Sequence, residues 1–440
     1  MVLRIRLVVM VTMSALILTG AGYYFLLPNW PGNHPSSTFV PETTGSMVRA
    51  NDAAATPAAT EALVDASNRF AFELYAKLYG DSGSNIFFSP YSISAAFAMV
   101  YEGARNQTAG EMRSVFHFPQ DDLARRASFA ALYNKLNIDN EGYTLRTADA
   151  AWVQEGYAIL KEYLGVVREY YMGNATNVDF KGAMEKARQT INSWVADHTG
   201  GRIKELFKPG DLDPLTVLAL TNAIYFKGEW QIKFDAGKTT NRDFYLASGG
   251  TVKVPMMVLD SKDSKFNYLD SSEDQEFYQD KLKILDLPYE GENASMFVLL
   301  PDDNDLARLE GSLTPEKLAG WQQAMYKHHL DIQLPKFKMD CRYDLKKILP
   351  EMGMSSTFGP APDLSGMNGQ GGLFIKTAVH EANIDVNEQG TEAAAATGVG
   401  VALSGMTPSF IANHPFIFLI QDKATGTVLF MGRVTDPTAG

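Results

Sequence analysis

Apolar and polar positions repeat with a helical period along the first part of the chain and alternate along the rest. Residues 61–79 read as a helix, with Leu63, Phe70, Leu74 and Leu78 on one stripe and Gly80 as the stop. Residues 92–105, 122–136, 160–171 and 184–198 read the same way, the last ending at Gly200-Gly201. Thr108-Ala-Gly-Glu111 has the form of a capping box and predicts another helix start. Strands are predicted over 215–226, 251–258, 282–288, 295–300 and 330–338. In residues 373–387, Phe374, Ala378, His380, Ala382, Ile384 and Val386 share one face, while Glu381, Asn383, Asp385 and Asn387 share the other. That is the pattern of a half-buried strand. The runs Pro415-Phe-Ile-Phe-Leu-Ile and Thr427-Val-Leu-Phe-Met flank residues 422–426 and predict a hairpin. Helices first and strands later, without strict βαβ alternation, predict an α+β fold with a mostly antiparallel sheet.

Residues 388–404 admit two readings. By composition they form an Ala/Gly linker. By parity they form a strand: Thr391, Ala393, Ala395, Thr397, Val399, Val401 and Leu403 become β-branched and apolar, while Glu392, Ala394, Ala396, Gly398, Gly400, Ala402 and Ser404 stay small or polar. Successive side chains of a strand point to opposite faces, so this parity suits insertion into a sheet with one side buried. The segment tethers two core strands, and tethers this long in compact domains are usually functional. It implies two states, one exposed and one inserted.

The formal charge of −12 argues against a nucleic-acid partner. The single cysteine, Cys341, rules out an intrachain disulfide and reads as a small buried hydrophobe. Arg4 and Arg6 precede 21 uncharged residues, 7–27. This segment reads either as a cleaved signal peptide or as a membrane anchor with its basic end in the cytoplasm. Residues 28–58 carry five prolines among Ser, Thr, Gly and Ala, and are expected to be a disordered spacer. The folded unit is expected over 59–440. Three glycosylation sequons begin at Asn106, Asn174 and Asn293.

Catalytic chemistry finds little support. Gly80-Asp81-Ser82-Gly83-Ser84 resembles the nucleophile turn of trypsin-like proteases, but the only earlier histidine is His34, in the spacer. Gly366-Met-Asn-Gly-Gln-Gly-Gly372 runs into a strand, not a helix, and is no phosphate cradle. His328-His329 lacks the spacing of a zinc helix. No metal or cofactor is expected, and a binding or inhibitory protein is favoured over an enzyme.

Several longer motifs resemble those of the serpin family. They are Asn85-Ile-Phe-Phe-Ser-Pro-Tyr-Ser-Ile-Ser94, Thr221-Asn-Ala-Ile-Tyr-Phe-Lys-Gly-Glu-Trp230, Asp363-Leu-Ser-Gly-Met367, Val386-Asn-Glu-Gln-Gly-Thr-Glu-Ala-Ala-Ala-Ala-Thr397, His414-Pro-Phe-Ile-Phe-Leu-Ile and Phe430-Met-Gly-Arg-Val-Thr-Asp-Pro437. They stand in the family's order and span about residues 61 to 437.

The resemblance implies three β-sheets, eight or nine helices and an exposed reactive loop over 388–410. It implies a metastable suicide inhibitor: a serine protease cuts the loop and stays bound as an acyl-enzyme while the loop inserts as a new strand. By resemblance, Gly390, Thr391, Glu392, Ala393, Ala394, Ala395, Ala396 and Thr397 form the hinge. Glu388, with Lys336 as its ion partner, and Trp230 stand where insertion begins. Ser89, Ser92, Asn222 and His380 form the shutter beneath the sheet. The family's usual loop length places the scissile bond at Ser404–Gly405, with Leu403–Ser404 as the fallback. Such residues suit elastase-like or subtilisin-like proteases, and the loop carries no Arg or Lys. The alternative is a non-inhibitory member, a chaperone or carrier. A monomer is expected, secreted or anchored through 7–27 at the outer face of a membrane.

The energetics of insertion are of the right size. A strand from Thr391 to Ser404 spans ~45 Å at ~3.3 Å per residue. At ~0.5–1.5 kcal/mol net per hydrogen bond it would yield on the order of 7–20 kcal/mol. A protease is stable by ~5–15 kcal/mol.

Overall fold

The computed structural model describes residues 49–81, 83–137, 142–260, 265–273, 281–391 and 408–439. The chain begins with α1 (Pro57–Asp81), β1 (Ile86–Phe88), α2 (Pro90–Gly103), α3 (Asn106–Phe116) and α4 (Asp122–Leu136). Next come β2 (Tyr143–Gln154), α5 (Lys161–Tyr171), β3 (Asn174–Val178), α6 (Phe180–His198) and β4 (Leu218–Glu229). They are followed by β5 (Thr240–Tyr245), β6 (Thr251–Leu259), β7 (Phe266–Asp270), β8 (Leu282–Pro288) and β9 (Ala294–Pro301). After α7 (Leu306–Ser312) and α8 (Pro315–Ala324) lie β10 (Tyr326–His328), β11 (Asp331–Pro335), β12 (Phe337–Asp344), α9 (Leu345–Glu351) and α10 (Ser365–Asn368). The chain closes with β13 (Ile375–Asn387), β14 (Gly390–Thr391), β15 (Ser409–Ile411), β16 (Phe416–Asp422) and β17 (Val428–Val434).

The strands form three sheets. One has six strands in the order β12-β13-β14-β4-β2-β3, one seven in the order β1-β17-β16-β9-β8-β7-β10, and one four in the order β15-β11-β6-β5. Within the six-stranded sheet β13–β4 and β2–β3 run parallel, and the other pairs are antiparallel. The α+β class and the three sheets agree with expectation. The described residues hold ten helices rather than eight or nine, the shortest being the four-residue α10.

Local chemistry explains where the helices start. Ser89 caps α2 by accepting from Ser92 N, with Pro90 next in line. Asp121 caps α4, Asp179 caps α6, and Thr314, followed by Pro315, caps α8. Parity splits the long strands between two cores. Leu218, Leu220, Ile224 and Phe226 of β4 face the main core with the seven-stranded sheet. Ala219 and Ala223 face a smaller core closed by Phe180, Ile191 and Val195 of α6.

Several expectations need correction. Residues 330–338 are not one strand: β11 lies in the four-stranded sheet and β12 in the six-stranded one. Burial changes parity there, from Leu330, Ile332 and Leu334 to Phe337 and Met339, and the chain changes sheets at Lys336. Thr108 and Glu111 do not form a capping box. They lie inside α3, whose first turn has no side-chain cap; Thr108 Oγ1 accepts from Asp363 N, and the Glu111 carboxylate from Ser356 N and Thr357 N. These donors are distant in sequence, so a local motif could not reveal them. Gly80 does not stop α1, which continues to Asp81. The folded unit starts before residue 59: Ala50 is buried, and its N–H and C=O bond to the Asn134 side chain. β13 begins at Ile375, so Phe374 lies outside the strand, and a bulge between Ile375 and Thr377 shifts the register near its start. The twelve-residue β2 had no sequence expectation; both of its faces are covered, and Ala148-Asp-Ala-Ala lacks strand residues.

Residues 1–48 lie outside the described residues, and with them the targeting segment, most of the spacer and His34. Among the described residues no helix is long and apolar enough to cross a membrane.

Candidate functional site at the mouth of the six-stranded sheet

The two central strands of the six-stranded sheet are joined over only part of their length. β13 and β4 pair in parallel from Ile375↔Leu218 to Ala382↔Ile224. Beyond that point they part, and β14 fills the gap. Gly390 pairs with Asn387 on one side and Glu229 on the other, and Thr391 with Val386 and Gly228. The chain therefore leaves β13 at Asn387, turns through Glu388-Gln389, and re-enters its own sheet between the strands that would flank a longer insertion.

The turn is built from side-chain chemistry. Asn387 Oδ1 accepts from Gln389 N. Gly390 has φ +151°, and a Cβ there would lie 2.0 Å from Gly228 O, so glycine is required twice over. Trp230 secures the outer side: its indole N–H donates to Asn387 O at 2.9 Å and its backbone N–H to Gln389 O at 2.8 Å. The Trp230 ring stacks on Tyr289 with centroids 4.7 Å apart and planes 13° from parallel. The Tyr289 hydroxyl in turn lies 2.8 Å from Thr391 Oγ1.

Glu388 is 5% exposed. Its carboxylate accepts from Lys336 Nζ at 2.8 Å and from Thr239 Oγ1 at 2.8 Å, and its carbonyl accepts from Phe234 N at 2.9 Å. Burial opposes ionisation, but hydrogen bonds from Lys336, its own backbone N–H and Thr239 outweigh it. The carboxyl is held below the usual glutamate range. Of the three residues expected at this point, Glu388 and Lys336 pair directly, and Trp230 bonds the residues on either side of Glu388.

A second polar cluster lies deeper, under the joined part of the strands. Ser89 N donates to His380 Nε2 at 3.0 Å, so the ring proton sits on Nδ1, facing Asn222 Oδ1. Asn222 Nδ2 donates to Ser92 Oγ at 2.6 Å, and Ser89 Oγ donates to Leu429 O at 2.6 Å. All four expected residues are brought together, each fully or almost fully buried. Burial pushes His380 down to about 3, so the imidazole is neutral. A buried neutral histidine with both nitrogens bonded is a fastener between β13, β4 and α2, not a base.

Two participants carry little signal in the sequence. Asp149 of β2 stands opposite Asn222 and accepts a second hydrogen bond from its amide. The residue keeps some accessible surface, yet dense packing around its carboxyl pushes it up to about 7, against the pull of Asn222 and Ser92. Its one visible signal was a lone acid in an apolar run. Tyr289 gave no signal, because an aromatic residue at the end of a strand reads as core.

Residues 392–407 lie outside the described residues. They include the rest of the expected hinge, from Glu392 to Thr397, and both candidate bonds, Ser404–Gly405 and Leu403–Ser404. Their anchors are defined: Thr391 ends in the six-stranded sheet, and β15 joins the four-stranded one by pairing in parallel with β11. Cys341, on β12, is half-buried rather than fully buried, and desolvation raises its thiol. Among the described residues no group of three or more His, Cys, Asp or Glu is placed to hold a metal ion.

The family profile of serpins, serine protease inhibitors, matches residues 65–437. A leukocyte elastase inhibitor of Bos taurus is 41% identical over 387 residues, covering 86% of this chain and 100% of that protein. An uncharacterised serpin-like protein of Thermococcus kodakarensis is 40% identical over 416 residues, covering 93% of this chain and 94% of that one. The crystal structure of human thyroxine-binding globulin in complex with thyroxine superposes with a TM-score of 0.78 at 29% identity, covering 86% of this chain and 99% of that one. The family is one of protease inhibitors and not of enzymes. With these three sheets and a match over most of its length, the chain belongs to the serpin family.

Proposed function

We propose that this protein inhibits serine proteases as a suicide substrate. A target protease cleaves the loop at Ser404–Gly405, or one residue earlier, and the serine ester persists while residues after Thr391 enter the sheet between β13 and β4. The observation that carries this reading is the split of those two strands by Gly390 and Thr391, which already occupy the first two positions of an inserted strand.

Continuing the ladder defines what insertion does. Thr391 pairs with Val386 and Gly228, so six residues further along Thr397 pairs with His380 and Asn222. The same parity puts Ala393, Ala395, Val399 and Val401 on the core side. The direct β13–β4 hydrogen bonds are exchanged for two ladders, one on each side of the new strand. The His380–Asn222 contact opens at the same time, with the Thr397 hydroxyl entering between its partners. Small hinge side chains let this proceed without expelling core atoms, and no proline interrupts the ladder.

The small or apolar residues at either bond suit elastase-like or subtilisin-like enzymes, and similarity to a leukocyte elastase inhibitor supports the first. The N-terminal apolar segment supports action outside the cell, secreted or anchored through 7–27. Thyroxine-binding globulin shares the fold and binds thyroxine, but a hinge of small residues apart from Glu392, with no proline, favours inhibition over a carrier role.

Incubation with pancreatic elastase and with subtilisin tests the reading. A covalent complex stable in SDS is expected, with a released C-terminal peptide beginning at Gly405 or Ser404. Loop cleavage by both enzymes without complex would overturn it.

A further inference from the structure

We propose that the Tyr289 hydroxyl is a latch that holds Thr391 in the sheet before the loop is cut, and thereby sets the register from which insertion proceeds. The inference rests on the inhibitory reading for its consequence, but not for its geometry.

Tyr289 is fully buried and Thr391 is 1% exposed. The phenol is clamped on several sides. Its ring stacks on Trp230 and meets Phe226 edge-on, with centroids 5.0 Å apart and planes at 67°. Gly228 leaves room beneath it; a Cβ there would stand 2.6 Å from the ring. The backbone is also pinned, through the Trp230↔Tyr289 bridge, Gln231 N to Pro288 O, and Glu290 N to Glu229 O. Phe226 and Gly228 of β4, with Trp230 just beyond its end, thus fix where the hydroxyl points. It points across β4 to Thr391, its hydrogen-bond partner at 2.8 Å. Burial raises the phenol well above its usual range, so it remains neutral and keeps its proton.

Withdrawing Thr391 would strand a buried hydroxyl, which is costlier than losing an exposed hydrogen bond. The latch therefore biases the hinge toward its inserted position. It also fixes parity. A strand that slips by one residue turns every side chain to the other face. With Thr391 on Tyr289, Thr397 aligns with His380 and Asn222. With a slip of one, Glu392 would meet Tyr289 and the aromatic cluster around it. Tyr289 is a positioning residue: it touches neither protease nor scissile bond.

Hydrogen–deuterium exchange on the uncut, full-length protein tests this without any protease. In Tyr289→Phe and in Thr391→Val, exchange of the peptide spanning 388–394 is expected to speed up about tenfold. Thr391→Ser, which keeps the hydroxyl, should retain wild-type protection, and the double variant should exchange no faster than the faster single. Tyr289→Phe exchanging within about twofold of wild type would overturn the latch. If that variant fails to fold, Thr391→Val decides alone, because it alters only one hydroxyl. A second readout separates positioning from structure. In both variants loop cleavage by elastase should keep its wild-type kcat/KM, while the share of cleaved but untrapped inhibitor rises. Unchanged partition in both would also count against the latch. Absence of any complex with wild type would remove the inhibitory reading and leave the exchange result to judge the latch.

Discussion

Glu388 and Lys336 are joined 2.8 Å apart across the point where the chain crosses from the four-stranded to the six-stranded sheet. Lys336 is the single residue between β11 and β12, and Glu388 is the first residue beyond β13. The ion pair therefore ties both sheets to the turn that introduces the hinge. Lys336 is 38% exposed at its side chain and Glu388 only 6%, so the two partners carry unequal burdens.

Replacing Lys336 with Met leaves a buried carboxylate with Thr239 as its remaining side-chain partner. Solvent screening at the exposed lysine reduces the loss, and about 1–2 kcal/mol is expected. The melting temperature should fall by several degrees. Because Glu388 titrates below the usual range, its stabilisation is present above that range and lost as the solution is acidified through it. The wild-type and Met curves should therefore converge at acid pH. Parallel curves down to the lowest pH would show that the pair contributes nothing.

Asp149 and His380 give opposite pH slopes. Asp149 is raised to about 7, so its contribution is complete at acid pH and is lost as pH rises through 7. His380 is lowered to about 3, so its contribution is complete above the ordinary imidazole range and is lost toward pH 3. Asp149→Asn removes the first slope and keeps an acceptor for Asn222. The melting temperature of this variant, relative to wild type, should climb between about pH 5 and about pH 8. A constant difference across that range would show that Asp149 does not titrate there.

Gly390→Ala places a Cβ against Gly228 O at a backbone angle that side chains avoid. The strain, about 1–3 kcal/mol, should drive Gly390 and Thr391 out of the sheet. Exchange protection at the hinge should be lost while the melting temperature of the rest changes little. Retained protection would mean that the turn can adapt.

Ala393→Pro removes an N–H that the inserted ladder needs. Elastase or subtilisin should cut this variant with no SDS-stable complex, turning inhibitor into substrate. Trapping at the wild-type stoichiometry would exclude insertion through residue 393.

Nicking the loop with a protease that is not trapped should raise the melting temperature sharply, since the cut chain can complete the ladder between β13 and β4. A melting curve that does not move would count against stored energy in the uncut form.

Periodicity located most elements. The helix over 122–136 and the strand over 282–288 coincide with α4 and β8. It failed where both faces are covered, as in β2, and where alternation runs on across a change of sheet, as at Lys336. The shutter residues and those where insertion begins came from resemblance, because no local pattern relates Ser89 to His380 or Lys336 to Glu388. Asp149 and Tyr289 escaped both routes.

By itself the sequence determined the fold class, the parity of the loop and the absence of obvious catalytic pairs, since these follow from residue types at fixed spacings along one chain. Only the tertiary structure decided that the hinge starts inside its sheet, that Tyr289 meets Thr391, and that an acid joins the histidine cluster. Each of these depends on which side chains share a buried space, and burial brings together atoms that the chain itself holds far apart.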